Sequence, residues 1–185
     1  MGELWFVTGG ARSGKSRFAE RLAHESNRPV VYIATMQPQD DELRRRVARH
    51  RRDRPSAWRT VEAPTDPAAA LAAVDGAACA LLDCLSLWVA NRLMALGDQP
   101  AVEAVEALEA ELLDETASLL RVAGEREGPT ITVTNEVGAG VVPEYPLGRA
   151  YRDLLGLTNQ RVAQHAARAW LLVSGRPLEL PPAGG

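Results

Sequence analysis

Five short, almost uninterrupted apolar runs, separated by stretches of helical periodicity, constrain the fold of this 185-residue chain more than any other feature. The runs cover residues 4–8, 30–34, 78–83, 130–134 and 170–174. Because they are continuous rather than alternating, they predict strands buried on both faces of a parallel sheet. Between them, apolar spacing predicts helices over residues 15–24, 40–52, 66–74, 85–96, 101–123 and 147–169, the last broken or kinked near Gly156. This order predicts an α/β fold with a mostly parallel, doubly wound sheet.

The domain organisation follows from length and from the lack of a linker. Residues 1–180 are predicted to form a single domain, and the Pro- and Gly-rich residues 181–185 a flexible tail. Residues 54–67 are expected to be a long connection with a short extended piece at 59–62. Nothing near the start resembles a signal peptide, and no apolar stretch is long enough for a membrane span, so we expect a cytoplasmic protein with no membrane span.

The balance of charge and the two cysteines exclude some classes of protein. The formal net charge is -3, which argues against a general nucleic-acid binder, so no nucleic-acid partner is expected. Cys79 and Cys84 have the spacing of neither a redox pair nor a zinc site, and both are predicted to be buried thiols.

The most specific motif begins where the first predicted strand ends. Residues 9–16 read Gly9-Gly10-Ala11-Arg12-Ser13-Gly14-Lys15-Ser16 and run directly into the first predicted helix, which fits G-x-x-x-x-G-K-[ST]. The glycines let backbone N–H groups surround a phosphate, and the helix N-terminus adds partial positive charge. Lys15, the chain's one lysine among 21 basic residues, would reach the outer phosphates. The motif predicts a nucleotide site.

A second ligand for a nucleotide-bound metal is expected at the end of a neighbouring strand. Asp83 ends the apolar run at 78–83, where a charged group needs an ion or an ion partner. We therefore predict a Mg²⁺ site formed by Ser16 and Asp83, although Asp83 could instead cap the following helix. Cys84 stands where many ATP-hydrolysing motors have a water-activating glutamate, which favours transfer to an acceptor over hydrolysis.

An arginine-rich segment surrounds one of the three histidines. Seven of the eleven residues from 44 to 54 are arginine, and His50 lies among them. Such a run is typical of a solvated helix face or an RNA-binding strip. The guanidiniums also favour the neutral imidazole, the form that can attack phosphorus, and they could bind a triphosphate.

Taken together, the ordered motifs resemble the bifunctional adenosylcobinamide kinase / adenosylcobinamide-phosphate guanylyltransferase family of cobalamin biosynthesis. The resemblance covers nearly the whole chain. It rests on Thr8 to Ser16, Tyr32-Ile33-Ala34-Thr35 with Asp41-Glu42, His50, Arg54-Pro55, Trp58 to Glu62, Leu82 to Leu85, Val133 to Gly138, Val142-Pro143-Glu144 and Asn159-Gln160.

The resemblance implies a RecA-like P-loop fold, a homotrimeric assembly and a corrinoid substrate. ATP or GTP would phosphorylate adenosylcobinamide with Mg²⁺ as cofactor, and GTP would then guanylylate His50 before GMP passes to the phosphorylated corrinoid. It also implies that the nucleotide-binding residues are Gly9 to Ser16, Ala34, Thr35, Met36, Arg51, Arg52, Asp53, Arg54, Glu62 and Asp83. Asn135 and Glu136 would sense the γ-phosphate or bind the corrinoid, or else form a turn cap.

Two other functions fit parts of the pattern. A single-step small-molecule kinase would use the arginine segment only as a phosphate clamp, without a covalent intermediate. A nucleotide-gated nucleic-acid-binding protein would use the same segment on a polyanion, but no set of aromatic residues suited to stacking bases emerges from the dispersed tryptophans.

Overall fold

A computed structural model describes residues 2–37 and 54–183. The described residues form seven strands and five helices. The strands are β1 (Leu4–Gly9), β2 (Val30–Ala34), β3 (Arg59–Glu62), β4 (Cys79–Asp83), β5 (Thr130–Val133), β6 (Arg168–Val173) and β7 (Arg176–Leu180). The helices are α1 (Lys15–Glu25), α2 (Pro67–Ala72), α3 (Leu85–Met94), α4 (Val102–Glu125) and α5 (Pro146–His165).

The strands form one sheet in the order β3-β2-β4-β5-β1-β6-β7. Every neighbouring pair is parallel except β6 and β7, which form an antiparallel hairpin at the edge. The carboxyl ends of β1, β2, β4 and β5 therefore meet at one edge of the sheet, which is where open α/β sheets bind ligands.

Alternate strand residues feed two apolar cores, one on each face of the sheet. On one face, Phe18, Ala19 and Leu22 of α1 pack against residues that include Tyr32, Leu81 and Trp170. On the other face, the remaining described helices cover a larger core whose fully buried residues include Leu71, Trp88 and Leu155. Both faces of the sheet are thus covered, as the continuous apolar runs predict.

All five predicted strands are confirmed, and the extended piece at 59–62 is β3. The apolar pattern does not predict β7, whose residues are mostly exposed. The predicted break near Gly156 is wrong, because α5 runs through this position without interruption. Gly156 is exposed, and a Cβ there would meet no atom within 4 Å, so the glycine reflects no packing constraint within the chain. The predicted helix over 40–52 lies outside the described residues.

A buried arginine ties the helical layer to the sheet at the edge opposite the carboxyl ends. Arg126 follows α4, is only 5% exposed, and donates hydrogen bonds to the carbonyl oxygens of Leu71, Val74, Asp75 and Ala78. These carbonyls lie at the end of α2 and in the turn before β4, so a single guanidinium donates to four acceptors in both segments.

Arg126→Ala should lower the free energy of unfolding by about 3 kcal/mol, because several buried carbonyls lose a charged donor. Urea unfolding followed by circular dichroism measures this. Arg121→Ala is the matched control, since Arg121 lies on α4 with a 61% exposed side chain that pairs with Glu125. This control should cost less than about 0.5 kcal/mol; equal losses in the two variants would contradict the assignment.

Candidate active site

The loop between β1 and α1 is held in a conformation that only glycine accommodates at two points. Gly9 has φ +149°, and a Cβ there would lie 2.5 Å from the carbonyl oxygen of Leu172 on β6. Gly14 has φ +95° and forms the N-cap of α1. The N–H of Gly175, in the turn between β6 and β7, donates to the Ser13 carbonyl at 2.9 Å. The glycines therefore permit both the loop conformation and the close approach of the β6–β7 hairpin.

Lys15 is buried within this loop, with only 7% of its surface exposed. Its ammonium donates to the carbonyl oxygen of Gly10 at 2.6 Å and lies 3.5 Å from the Ser13 hydroxyl. Burial lowers the pKa of Lys15, whereas Cys84, Asp83 and Glu136 act against that shift. A cation that has lost water in this way is a strong binding partner for phosphate.

Asp83 ends β4 with its carboxylate fixed by a tyrosine. The Tyr32 hydroxyl donates to Asp83 Oδ2 at 2.8 Å, and burial raises the pKa of Tyr32 well above its ordinary value, which keeps this hydroxyl a neutral donor. The Arg54 guanidinium lies 3.2 Å from the centre of the Tyr32 ring, and its Nε is 3.6 Å from the Glu20 carboxylate. Tyr32 thus connects Arg54 with the carboxylate at the end of β4.

The residues predicted to hold Mg²⁺ have suitable chemistry. Ser16 lies in the first turn of α1, next to Lys15, and the Asp83 charge acts on Lys15. Hydroxyl and carboxylate oxygens are the donors that Mg²⁺ prefers, and this ion commonly uses one or two protein ligands together with substrate phosphates. Within residues 2–37 and 54–183, no group of three or more His, Cys, Asp or Glu side chains could hold a metal.

Polar contacts join the ends of β2, β3 and β4. The Thr35 hydroxyl accepts from the Cys84 N–H at 2.8 Å and donates to the Cys84 carbonyl at 2.7 Å, and the Asp83–Cys84 peptide bond is cis. Asn91 on α3 donates to the carbonyls of Thr35 and Pro64 at 2.8 and 2.9 Å. One amide group therefore fixes the backbone that follows β2 and the backbone that follows β3.

The polar pair after β5 lies beside the P-loop. The Glu136 N–H donates to the Gly9 carbonyl at 3.1 Å, and the Thr8 hydroxyl donates to Glu136 Oε1 at 2.6 Å. Asn135 donates to the Ser86 hydroxyl at 3.0 Å, and Asn159 on α5 donates to the Asn135 carbonyl at 3.0 Å. These bonds hold the chain after β5 against both the P-loop and the start of α3.

The structure thus brings many of the predicted site residues to one edge of the sheet. The loop and the start of α1 consist of Gly9, Gly10, Ala11, Arg12, Ser13, Gly14, Lys15 and Ser16. The residues that end or follow neighbouring strands are Ala34, Thr35, Met36, Glu62, Asp83, Asn135 and Glu136. The suggested cap role of Asp83 is not observed, because Cys84 is the N-cap of α3.

Of the remaining predicted residues, one lies beside the site and four lie outside the described residues. Arg54 has a 9% exposed side chain that stacks on Tyr32. His50, Arg51, Arg52 and Asp53 lie outside the described residues.

Sequence reasoning gave no role to Tyr32, Asn91 or Asn159, although each contacts a predicted site residue. Their signals in the sequence are weak: a tyrosine within an apolar strand, and asparagines on predicted amphipathic helices. Only the packing of distant elements shows which backbone or carboxylate groups they meet.

This arrangement defines a P-loop nucleotide-binding protein with a RecA-like fold. Among solved structures, a prototypical ATPase from a bacterial type III secretion system has a TM-score of 0.52 at 14% identity, covering 94% of this chain and 51% of that chain, and supports the fold alone. The RadB recombinase is also similar, with a TM-score of 0.47 at 17% identity, covering 91% of this chain and 73% of that chain.

Sequence comparisons show the family. The chain belongs to the CobU family, described as cobinamide kinase / cobinamide phosphate guanyltransferase, whose model matches residues 5–180. It is 45% identical over 175 residues to the bifunctional adenosylcobalamin biosynthesis protein CobP of Pseudomonas aeruginosa, covering 94% of this chain and 95% of that protein. It is 43% identical to the bifunctional adenosylcobalamin biosynthesis protein CobU of Salmonella typhimurium, covering 91% of this chain and 94% of that protein. The family resemblance and both activities named for it are therefore confirmed at the level of the family.

Tyr32→Phe should weaken Mg²⁺-dependent binding of a non-hydrolysable GTP analogue about fivefold to tenfold, because Asp83 loses one charge-assisted hydrogen bond while the ring under Arg54 remains. Calorimetric titration at graded Mg²⁺ concentrations measures the change. Tyr145→Phe, at a 65% exposed tyrosine, is the matched control. Equal affinity for Tyr32→Phe and wild type at limiting Mg²⁺ would show that the Tyr32–Asp83 bond does not assist the site.

Proposed function

We propose that this chain carries out both activities of its family: phosphorylation of adenosylcobinamide by ATP or GTP, followed by transfer of GMP from GTP to adenosylcobinamide phosphate. The observation that carries the proposal is the buried Lys15 of the P-loop, on which the charges of Asp83 and Glu136 act. The family match over residues 5–180 supports adenosylcobinamide and its phosphate as the acceptors at this site.

In the first reaction, the aminopropanol hydroxyl oxygen of the corrinoid attacks the γ-phosphorus, and the bond to the β–γ bridging oxygen breaks to release the nucleoside diphosphate. Lys15 and the loop N–H groups hold the phosphates and stabilise the charge that moves to the leaving oxygen. We assign the hydroxyl proton to Glu136, since the Thr8 hydroxyl orients its Oε1 beside the P-loop.

The environment of Cys84 supports transfer rather than hydrolysis. Burial raises the pKa of the Cys84 thiol to about 11, and its sulfur lies 2.9 Å from the Ser86 hydroxyl. A neutral buried thiol is a poor base for a water molecule. Hydrolysis of the nucleotide would therefore be slow, and an alcohol acceptor would receive most of the transferred phosphoryl groups.

In the second reaction, a His50 ring nitrogen attacks the α-phosphorus of GTP and expels pyrophosphate, forming a nitrogen–phosphorus bond. A phosphate oxygen of adenosylcobinamide phosphate then attacks the same phosphorus, breaking that bond and giving adenosylcobinamide-GDP. The covalent intermediate divides one displacement into two easier ones. This role rests on the family motif around His50.

We propose that GTP contacts the P-loop residues Gly9 to Ser16 together with Ala34, Thr35, Met36, Arg51, Arg52, Asp53, Arg54, Glu62 and Asp83. The bonds of Asn91 to the backbone after β2 and β3 support a shared role for Thr35 and Glu62. Ser16 and Asp83 would hold Mg²⁺, which supplies charge neutralisation to bound phosphates.

Lys15→Arg should lower nucleotide-dependent phosphorylation at least about a hundredfold, because the broad guanidinium does not fit a loop in which the ammonium meets the Gly10 carbonyl. Steady-state assays with adenosylcobinamide measure the effect at unchanged net charge. Arg17→Lys, on the exposed side of α1, provides the opposite exchange as a control. Near-normal turnover by Lys15→Arg would contradict the proposed role.

GTP labelled at the α-phosphorus should leave label on the wild-type protein that acid removes and base does not, the behaviour of a phosphoramidate. His50→Ala should take no label while still binding GTP. A single-step kinase, the alternative function, would transfer γ-phosphoryl groups and never acquire this label. Equal labelling of His50→Ala would show that another residue is the nucleophile.

We further propose that residues 1–180 form the catalytic domain followed by a flexible tail at 181–185, that the enzyme is a homotrimer, and that it works in the cytoplasm. Cys79 and Cys84 are both free and buried, as in proteins of reducing compartments. None of the described helices combines the length and apolarity needed to cross a membrane. Light scattering of the eluted protein tests the trimer.

A further inference from the structure

A groove on the outer face of α5 lies next to the candidate active site. It has a volume of about 420 Å³ and is lined by Gly138, Arg152, Asp153, Gly156, Leu157 and Gln160. We call these six residues the acceptor groove. On the inner side of the same helix, Asn159 accepts from Thr134 at 2.7 Å and donates to the Asn135 carbonyl at 3.0 Å. These bonds hold this part of α5 against the carboxyl end of β5.

One end of the groove lies near the P-loop. Glu136 is bonded to Gly9 and Thr8, and Gly138 of the groove follows Glu136 by two residues. Two residues of extended chain span at most about 7 Å. The Gly138 end of the groove therefore lies close to the backbone of the P-loop.

An apolar surface continues from the groove along the chain between β5 and α5. Its members are Val141, Val142 and Tyr145, which are 96%, 56% and 65% exposed. Arg149 donates to the carbonyls of Pro143 and Glu144 at 3.1 and 2.6 Å, which ties this segment to the first turns of α5. The segment is thus held in place while its apolar side chains face outward, as expected of a binding surface.

The lining of the groove combines polar, apolar and glycine residues, a mixture that suits a corrin ring. Arg152, Asp153 and Gln160 offer donors and acceptors, Leu157 is apolar, and the two glycines leave an open floor. A corrin ring carries amide side chains and methyl groups around a wide, flat macrocycle. Amides need polar partners and the methyl-rich rim needs apolar contact, so both parts of the surface match this ligand.

We propose that the acceptor groove, together with Val141, Val142 and Tyr145, binds the corrin ring of the acceptor and presents its aminopropanol hydroxyl to the P-loop. The inference rests on the proposed function, and it adds the place on the chain where the corrinoid binds. The competing occupant of this face is a second copy of the chain.

Gly156→Leu is the sharpest test. A Cβ at Gly156 would meet no atom within 4 Å, so a larger side chain enters the groove without disturbing the fold. It should raise both the dissociation constant and the KM for adenosylcobinamide about tenfold by steric exclusion. The affinity for GTP, and covalent labelling by GTP without acceptor, should stay at the wild-type level.

Gly156→Ala is the matched control, because it gains helix propensity but leaves the groove open; it should bind adenosylcobinamide like the wild type. Gln160→Ala should weaken corrinoid binding about threefold through one lost hydrogen bond. Equilibrium dialysis of adenosylcobinamide measures binding directly, and light scattering of the same samples gives the oligomeric mass.

Wild-type affinity in both Gly156→Leu and Gln160→Ala would overturn the inference while leaving the proposed function intact. A smaller oligomer for Gly156→Leu would identify the face as an interface between copies and would also overturn it. If the wild type neither binds nor converts adenosylcobinamide, the proposed function fails, and the inference fails with it.

Discussion

Backbone pairing of β1 with the strands on both its sides, continued beyond the strand itself, is the constraint on which the site depends. On one side, the N–H groups of Thr134 and Glu136 donate to the carbonyls of Val7 and Gly9. On the other side, Gly175 donates to Ser13 across the turn between β6 and β7. The P-loop is therefore held from two directions by main-chain hydrogen bonds, and its phosphate-facing N–H groups are oriented before any ligand arrives.

Charged side chains surround that backbone, and a bound anion would complete their arrangement. Burial disfavours the Lys15 ammonium, and two carboxylates partly compensate for the lost water. Asp83 is itself oriented by Tyr32, whose ring lies under the Arg54 guanidinium. A nucleotide bound with its metal ion would bring negative phosphates to Lys15 and a cation to Asp83. This explains why a phosphate loop and a fixed carboxylate occur together.

The fold was predictable to the extent that each strand carries its own signal. Residues 30–34 and 78–82 are apolar throughout because both faces of the strands are covered, and the P-loop motif marks the end of β1. β7 carries no such signal: it is an exposed edge strand containing Pro177, and it forms only because the turn at Ser174 and Gly175 returns the chain beside β6. The expected break at Gly156 failed because α5 needs no side chain at an exposed position.

The candidate site was predictable where a motif specifies backbone conformation, and less so where distant side chains meet. The sequence places Lys15 at the start of a helix and Asp83 at the end of a strand, but it contains no sign that Tyr32 bonds to Asp83 or that Asn91 bridges two loops. Those contacts depend on the order β2-β4-β5-β1, in which β1 and β2, consecutive along the chain, are separated by β4 and β5. The alternative of a helix cap for Asp83 could be decided only from the start of α3, where Cys84 is the N-cap.

The contact between Gly175 and Ser13 also concerns the order in which the chain is made. The P-loop emerges from the ribosome early, yet one of its carbonyls is engaged by a residue 162 positions later, and the Leu172 backbone packs on Gly9. A nascent chain that ends before the β6–β7 hairpin has the complete motif but not the complete cradle. The P-loop conformation is thus completed only after β6 and β7 have been made, although its sequence motif leaves the ribosome among the first residues of the chain.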